Sequence, residues 1–525
     1  MSVPPIDQDQ VVEAGSDPSR RQGKFSGSYA ALLIVVAAIT AGLLAYSQTL
    51  AHHGDEGFHL LAAQLILAGK RPYLEFFYQH VPLYAYLNAG WSRLFGDSWR
   101  SAHTFSALLT GWSVLLVAIF VYARVCEPKW RLAAALTAAL LMGLDALVIQ
   151  FGTIGQPYGL CLVLLVGAFW LVIGSVARES GWRPLAAGLC AGAAAASSLL
   201  AAPAVPILFT WLVRQTRSSH RLSHSAWFVA GVLAPFLPLL WLAVQAPRQT
   251  LFNVVQYHLF YRRGPLTVPV TEAVLADMKT LYSVWLESTQ GLLLVLLAAV
   301  GILFLVGRSG WEAPRRAEVA LCAWLAGGLG ICLAGTLPTF PQYFILVIPF
   351  LSILASIGVY AIGSRICSSC RPGWLVLLVV GLFAVGLAKQ GYRTYELYQM
   401  RQAFQSAWWS FDAVAREVNR VTPNDGEVWV ESDCAECIYV AAKRVPPPGM
   451  ENSNAYFLEL PAALAASLKI MPRSEQEEWL GAGRFATVVI EDNDPRIEAF
   501  GLGRLYAGHK RVHGYHIFWG RRNQR

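Results

Sequence analysis

The chain has 525 residues, of which 55% are hydrophobic and 14% are charged. Soluble domains carry about 25% charged residues, so this composition excludes a soluble globular protein and indicates a polytopic α-helical membrane protein. The formal net charge of +8 does not indicate nucleic acid as a partner, because basic loops on one side of a membrane account for it.

Apolar runs of about 20 residues recur along the chain, and each is long enough to cross the ~30 Å hydrocarbon core of a bilayer. We predict about eleven spans, near residues 28–50, 102–123, 132–150, 158–176, 185–200, 202–213, 226–245, 289–307, 317–336, 342–363 and 373–390. Pro203 and Pro206 predict a break or a short helical hairpin within the pair 185–213. The polar leader, residues 1–27, is expected to be disordered, and the first span is expected to be retained.

The distribution of Lys and Arg predicts the orientation of these spans. Predicted loops on one side hold basic residues such as Lys129, Arg217 and Arg316, whereas the short turns 151–157 and 337–341 on the other side hold none. Because cytoplasmic loops are enriched in Lys and Arg, we expect a cytoplasmic N-terminus in a plasma or inner membrane. The extracytoplasmic side then carries the loops 51–101 and 246–288 and the tail 391–525, all attached to a membrane domain at 28–390.

The tail has the pattern of a small α/β domain. Its predicted elements are strands at 427–431 and 485–491, helices at 434–443 and 460–470, and a closing hairpin at 506–520. It contains no Gly-rich phosphate loop and no hydrolase motif, so we expect it to cap the membrane part or to bind acceptor without chemistry of its own. Cys434 and Cys437 fit a local disulfide or two free thiols better than a redox centre.

Asp55 and Glu56 are the candidate catalytic residues, because they follow the first span directly. The simple alternative is a solvated acidic pair that caps the next helix, since carboxylates favour helix N-termini. The helix predicted at 57–68 places Phe58 and Leu61 on one side, so we expect it to lie along the membrane surface. That position would hold both acids at the level where a lipid-linked substrate presents its reactive bond.

Two basic pairs on the outer side are candidate phosphate ligands. Lys70 and Arg71 follow the predicted helix, and Arg262 and Arg263 lie in the second outer loop. Lys and Arg pair with phosphate, Arg in bidentate fashion. Interfacial snorkelling and contact with anionic headgroups are the alternatives.

Histidines and one intramembrane acid are further candidates. His80 and His258 are candidate substrate contacts, although a lone His is more often structural. His52 and His53 adjoin Asp55, but no spaced metal motif accompanies them, so no metal ligands are predicted and a divalent metal is not favoured. Asp145 lies in an apolar span; it is either functional or placed at the outer end of the span beside a polar cavity.

The first outer loop and one late span resemble those of a known family. The segments Asp55-Glu56-Gly57, Ala68–Tyr73 and His80–Leu83 resemble the first outer loop of the membrane-embedded GT-C glycosyltransferases, in the branch of the protein O-mannosyltransferases and aminoarabinose transferases. Pro341–Pro349 is similar to an aromatic, Pro-containing late span of that group. The overall layout agrees along the chain, whereas specific motifs cover residues 52–90 and 338–352.

The resemblance implies a GT-C-like fold and transfer of a sugar from a polyprenyl-phosphate donor to a glycolipid, polysaccharide or protein acceptor at the outer face of the membrane. It implies that Asp55 is the general base or the residue that orients the acceptor, with Glu56 as its neighbour, and that a direct displacement inverts the anomeric centre. The implied substrate contacts are Lys70, Arg71, Tyr73, His80, His258, Arg262, Arg263, Gln342 and Tyr343.

This sequence departs from the family pattern at two positions. The loop 151–157 offers Gln156 where the family often has an acid, which argues against a metal. Gln342 precedes Tyr343 where an Arg is usual, so we expect Arg262 or Arg263 to supply that phosphate contact.

Two other functions compete with this prediction. A transporter would fit the number of spans and Asp145, but we find no inverted repeat in hydropathy and few charges within spans. A non-catalytic lipid-binding or assembly subunit would keep the fold and would not need the Asp55-Glu56 pair.

Overall fold

The computed structural model describes residues 18–522, except for 50–53, 125–126, 178–180, 263–269, 308–312, 367–372, 400–406, 454, 456, 457 and 459. Helices account for the described chain up to residue 399, and a small sheet with its own helices follows.

The first part of the chain is built from helices joined by short connections. In chain order they are α1 (Pro18–Ser47), α2 (Glu56–Leu67), α3 (Leu83–Phe95), α4 (Trp99–Arg124), α5 (Pro128–Gly143), α6 (Ala146–Phe151), α7 (Tyr158–Ala177), α8 (Trp182–Ser197), α9 (Ala204–Gln215), α10 (Ser218–Leu233), α11 (Leu237–Gln245), α12 (Pro247–Leu251), α13 (Val270–Tyr282), α14 (Thr289–Gly307), α15 (Ala313–Ala334), α16 (Ile348–Ile366) and α17 (Gly373–Gln399). Two π-helices, Phe252–Tyr261 and Ser283–Glu287, and a 3₁₀-helix, Pro341–Val347, lie between them.

Seven described helical segments are long and apolar enough to cross a membrane: Gly27–Ser47, Trp99–Arg124, Tyr158–Val176, Ser218–Gln245, Thr289–Val306, Arg316–Ala334 and Pro341–Arg365. The other four predicted spans coincide with the shorter helices α5, α8 and α9 and with the apolar first half of α17. The predicted break is confirmed, because α8 ends at Ser197 and α9 begins at Ala204. The chain is therefore a polytopic helical membrane protein, as its composition predicts.

Close backbone contact between α8 and α10 shows why small residues recur in these spans. A Cβ atom at Gly188 would lie 2.1 Å from the carbonyl oxygen of Phe228, and one at Gly231 would lie 2.2 Å from that of Leu185. Apolar burial cannot drive helix association within lipid, so close van der Waals packing at small residues takes that role. A larger side chain at either glycine would force the two helices apart.

The prediction of a disordered leader at 1–27 is wrong for residues 18–27, which form the start of α1. Proline is well suited to the first helical position, and extending a helix beyond an already formed span fixes one residue per added hydrogen bond. Residues 1–17 of the predicted leader lie outside the described part of the chain.

The helix α2 is not the exposed amphipathic helix that its sequence pattern predicts. Every residue of this helix from Glu56 to Leu65 is buried, including residues on the side expected to face water. The helix is covered by α3 and by the C-terminal domain, so protein and not lipid receives its apolar residues. Nearly continuous burial explains why an amphipathic pattern from the sequence was a poor guide here.

The C-terminal domain comprises α18 (Trp408–Val421), β1 (Val428–Glu431), α19 (Ala435–Ala442), α20 (Ala462–Ser467), α21 (Arg473–Gly481), β2 (Thr487–Glu491), α22 (Arg496–Ala499), α23 (Leu502–Leu505), β3 (Tyr506–Val512) and β4 (Tyr515–Arg521). Its sheet has the strand order β1-β2-β4-β3; β1 and β2 are parallel, and the other two pairs are antiparallel. The predicted strands, helices and hairpin of the tail are confirmed. Cys434 and Cys437 are free thiols.

The two faces of this sheet bury different partners, as the period-2 alternation of a strand requires. Val430, Val489 and Ile517 lie in one cluster with α18, α19 and the first outer loop. Trp429 and Val488 lie in a second cluster with α21 and α23. One face of the sheet therefore holds α18 and α19 against the membrane domain, next to Asp55.

Candidate active site

Asp55 lies at the N-cap position of α2, and its side chain is exposed. It makes no side-chain capping bond to the helix, so the simple interpretation of this residue as a helix cap fails in this structure. The next residue, Glu56, is buried, so Asp55 is the accessible carboxylate of the Asp55-Glu56 pair. An accessible carboxylate at the end of the membrane helices is free to meet a substrate.

Arg262, which follows the π-helix Phe252–Tyr261, interacts electrostatically with Asp55. Its backbone N–H donates to the Tyr257 carbonyl oxygen over 2.8 Å, which fixes the start of its side chain. The guanidinium donates to the hydroxyl of Tyr343 and lies 5.6 Å from the ring centroid of Phe340. Two segments that are far apart in sequence thus meet and hold one cation in a defined position.

The charges of these groups are coupled. Burial acts to lower the pKa of Arg262, but Tyr343, Tyr257 and Asp55 more than offset it and raise that pKa above its ordinary value. Burial raises the pKa of Tyr257 to about 12, with Arg262 acting to lower it and Asp55 and Tyr343 acting to raise it. Arg262 is therefore a fixed cation within electrostatic range of the Asp55 carboxylate.

Histidines form the wall beside this pair. The His80 ring stacks on Phe58 and lies 4.7 Å from the ring of His59 and 6.1 Å from that of His258, between centroids. Burial lowers the pKa of His80 well below its usual range and that of His258 to about 4. His258 Nε2 bonds to the Gln79 carbonyl oxygen over 2.6 Å. His80 Nε2 is buried without a hydrogen-bond partner in the described chain, which leaves a neutral imidazole nitrogen for a polar ligand.

Glu56 does not face this space. Its side chain is fully buried and accepts hydrogen bonds from His103 Nε2 at 2.7 Å, from the Gly155 N–H at 2.9 Å and from Trp408 Nε1 at 2.7 Å. These donors come from α4, from the loop between α6 and α7, and from the C-terminal domain. The carboxylate of Glu56 is thus engaged in a buried hydrogen-bond network, and its role as the neighbour of a catalytic Asp55 stays a prediction.

Two predicted substrate contacts, Lys70 and Arg71, pair with other residues of the protein. Lys70 Nζ lies 3.6 Å from Glu451 Oε1. Arg71 Nε bonds to Glu75 Oε2 over 3.0 Å, and its Nη1 bonds to the Gln245 side-chain oxygen over 3.0 Å. This basic pair is therefore engaged by partners within the protein, one in the same loop and two in other segments.

Tyr73 is another predicted substrate contact whose side chain lies inside the protein. It is fully buried with φ 67°, and its hydroxyl donates to the His80 carbonyl oxygen over 2.6 Å. This bond shapes the loop that presents His80, so Tyr73 supports the site from behind. Gln342 is buried beside Tyr343 in the 3₁₀-helix, and Arg263 lies outside the described residues.

Sequence reasoning missed a set of residues in the C-terminal domain. Asn452 Nδ2 donates to Gln79 Oε1 over 2.6 Å, and Glu436 accepts from the Ser453 N–H over 2.5 Å. Glu451, Asn452 and Ser453 are each almost fully buried, so this polar segment closes the loop that carries His80. The sequence gives a weak signal for them, because a run of polar residues ordinarily indicates a solvated turn.

Asp145 caps α6, with Leu147 N–H and Val148 N–H donating to its Oδ1 over 2.9 and 3.3 Å. Its intramembrane carboxylate is thus accounted for by a helix N-terminus. Among the described residues, no group of three His, Cys, Asp or Glu side chains is placed to hold a metal ion.

This architecture matches known membrane enzymes. Residues 79–242 match the family model described as dolichyl-phosphate-mannose-protein mannosyltransferase. The structure of ArnT from Cupriavidus metallidurans bound to undecaprenyl phosphate superposes with a TM-score of 0.62 at 15% identity, covering 93% of this chain and 97% of that one. The chain has the GT-C fold. The resemblance inferred from Asp55-Glu56-Gly57 and the late span is therefore confirmed at the level of the fold.

A second GT-C structure agrees over most of the chain. The oligosaccharyltransferase of Archaeoglobus fulgidus, solved in complex with Zn and sulfate, gives a TM-score of 0.50 at 13% identity, covering 91% of this chain and 71% of that one. No curated protein matches the chain in sequence. This chain therefore shares its fold with both of these solved structures.

Proposed function

We propose that this GT-C protein transfers a sugar from a polyprenyl-phosphate donor to an acceptor hydroxyl. The observation that carries the proposal is the pairing of an accessible carboxylate, Asp55, with a fixed cation, Arg262, which Tyr343 orients. The matched family and the similar ArnT structure act with lipid phosphates of this kind. The acceptor would be a glycolipid, a polysaccharide or a protein.

Asp55 supplies the base of the reaction. The acceptor hydroxyl must lose its proton as it attacks the anomeric carbon, and a carboxylate within hydrogen-bond reach takes that proton. The exposed side chain at the N-cap of α2 leaves room for an acceptor. A single displacement of this kind inverts the anomeric centre.

Arg262 stabilises the leaving group. The bond between the anomeric carbon and the phosphate oxygen breaks as the sugar moves, and the lipid phosphate departs as an anion. Such a leaving group needs a positive charge already in place more than it needs an acid. Tyr343 and Phe340 hold the guanidinium against one side, and a guanidinium retains further N–H donors for phosphate.

The lipid tail of the donor has an apolar surface beside this cation. Leu259 and Phe260, just before Arg262 in the chain, are 69% and 70% exposed. Exposed large apolar side chains on a membrane protein lie against lipid, and a polyprenyl chain has the same character. A donor whose phosphate meets Arg262 can therefore keep its tail along the π-helix.

The same scheme assigns a side of the membrane. The basic residues of the predicted cytoplasmic loops place Asp55, Arg262 and the C-terminal domain on the extracytoplasmic side of a plasma or inner membrane. Donor and acceptor would then meet outside the cytoplasm.

The test is sugar transfer by protein purified in lipid, offered a panel of radiolabelled polyprenyl-phosphate sugars with glycolipid, polysaccharide and peptide acceptors. Wild type should release polyprenyl phosphate, and Asp55→Asn should release at least 100-fold less, since general-base catalysis contributes about 10²–10⁴-fold. Asp425→Asn is the matched control, because Asp425 is an exposed carboxylate of the C-terminal domain, and it should retain wild-type activity.

Folded wild-type protein that turns over none of the donors would refute the proposed function. Equal activity of Asp55→Asn and wild type would refute the role of Asp55 while leaving the transferase assignment standing.

A further inference from the structure

One side chain of the C-terminal domain reaches the residue next to Asp55. Trp408, the first residue of α18, is fully buried, and its indole N–H donates to Glu56 Oε1 over 2.7 Å. The other carboxylate oxygen of Glu56 accepts from His103 and from the Gly155 N–H. Both carboxylate oxygens of Glu56 thus accept hydrogen bonds, and the donor to one of these oxygens belongs to the C-terminal domain.

Packing fixes the indole in turn. The Trp408 ring stacks on Trp99 of α4 with 5.3 Å between centroids and 9° between planes, and Phe411 meets it edge-on. A ring held on two sides by aromatic neighbours directs its N–H in one direction. Trp408 therefore links the C-terminal domain rigidly to the first turn of α2.

A second contact between the two domains lies at the adjacent residue. Gly57 packs so closely on α19 that a Cβ atom there would lie 2.8 Å from Cys437 Sγ and 3.1 Å from Glu436 Cβ. The start of α2 thus contacts the C-terminal domain twice, through the side chain of Glu56 and through the backbone of Gly57. Asp55 immediately precedes both contacts.

Within the part of the chain that the structure describes, Asp55 shows no comparable hydrogen bond of its own. Its side chain makes no capping bond, so the position of its carboxylate follows from the backbone at the start of α2. A displacement of about 1 Å in catalytic geometry can cost about 10²-fold in rate. Contacts that hold the first turn of α2 in place therefore also determine the position of the Asp55 carboxylate.

We propose that Trp408 is a positioning residue of the transfer reaction, through which the C-terminal domain holds Glu56 and thereby places Asp55. The inference rests on the proposed function of Asp55 as the base. It gives the C-terminal domain a part in catalysis that its sequence, without any catalytic motif, does not indicate.

The experiment compares Trp408→Phe with Trp429→Phe in the full-length protein. Both changes keep an aromatic ring at a fully buried position. Trp408→Phe removes the N–H that Glu56 accepts, whereas Trp429 Nε1 has no hydrogen-bond partner in the described chain. We expect Trp408→Phe to lower kcat by 10- to 100-fold, about the cost of a 1 Å misplacement or less, with donor KM changed less than threefold. Trp429→Phe should leave kcat within threefold of wild type.

Replacement of Trp408 by benzothienylalanine is the second variant, since it keeps the bicyclic shape and removes only the N–H donor. It should reproduce the fall in kcat in protein that remains folded, with a melting temperature close to that of Trp408→Phe.

The outcomes separate the two claims. If wild type transfers sugar and both Trp408 variants have the kcat of Trp429→Phe, Trp408 is merely structural and the inference fails alone. A donor KM that rises as much as kcat falls would also overturn it, because the residue would then serve binding. Absence of transfer by wild type would overturn the proposed function and this inference with it.

Discussion

Replacing Glu56 by Ala should destabilise the protein far more than replacing Asp55 by Ala. Glu56 is fully buried and accepts hydrogen bonds from His103, Gly155 and Trp408. Its removal leaves three buried donors without an acceptor. Each buried donor left unsatisfied costs about 1–3 kcal/mol, and the costs are not additive within one network. We expect a total loss of about 3–5 kcal/mol in the free energy of unfolding, the range found for broken buried ion pairs.

Asp55 gives the opposite expectation. Its exposed side chain makes no capping bond, so Asp55→Ala removes no internal hydrogen bond seen in the described chain. Surface substitutions of this kind usually stay within about 0.5 kcal/mol. Transfer activity should be affected in the opposite order. When equal amounts of folded protein are compared, Asp55→Ala should be inactive.

The assay is thermal unfolding in detergent, followed by intrinsic tryptophan fluorescence, for wild type and both variants. Glu56→Ala should melt well below wild type and Asp55→Ala should melt with it. A Glu56→Ala protein that melts at the wild-type temperature would refute the reasoning, because it would mean that the three donors find water or other partners at no cost.

Three further predictions follow from single sites. Burial raises the pKa of the Glu451 carboxyl from 4.5 to about 7, so the folded state favours its protonated form. The contribution of this group to stability should be greatest below pH 4.5 and should fall by about 3 kcal/mol as the pH rises to 7. Melting curves across this range should show that fall in wild type and a smaller one in Glu451→Gln. Asp145→Ala should lose about 1 kcal/mol of stability, the usual worth of an N-cap, with unchanged transfer; a loss of transfer at wild-type folding would show that Asp145 is functional. Tyr343→Phe removes the hydroxyl that orients Arg262 and should raise donor KM by ~10-fold, since a hydrogen bond to a charged group is worth about 1.5–3 kcal/mol; an unchanged KM in initial-rate measurements would argue against that orientation.

Much of the fold could be predicted because its signals are local. Runs of apolar residues define the membrane helices whatever their neighbours are, and the strands of the tail show compact runs such as Thr487–Glu491. Burial of α2 could not be predicted in this way. What covers that helix is a domain that begins more than 300 residues later in the chain, and local amphipathicity contains no information about it.

The residues of the candidate site also differ in whether their signals in the sequence are local. Asp55 could be identified because its position after the first span and its motif are both local features. Arg262 and Tyr343 could each be named as candidates, but their contact joins residues 81 positions apart through a π-helix, which no periodicity indicated. Two other predicted site residues have distant partners that the sequence did not indicate. Glu56 bonds to Trp408 across 352 positions, and Lys70 pairs with Glu451.

The most direct test of the account is the affinity for polyprenyl phosphate of wild type, Asp55→Asn and Arg262→Gln, measured by native mass spectrometry in the same detergent. In the proposed mechanism, the cation Arg262 binds the lipid phosphate, and the carboxylate of Asp55 acts only in the chemical step. Arg262→Gln should therefore bind at least tenfold more weakly than wild type, as loss of a charged hydrogen bond worth about 1.5–3 kcal/mol implies. Asp55→Asn should bind as tightly as wild type or more tightly, because it removes a negative charge beside an anion. Tight binding by Arg262→Gln, or lost binding by Asp55→Asn, would contradict this division of roles.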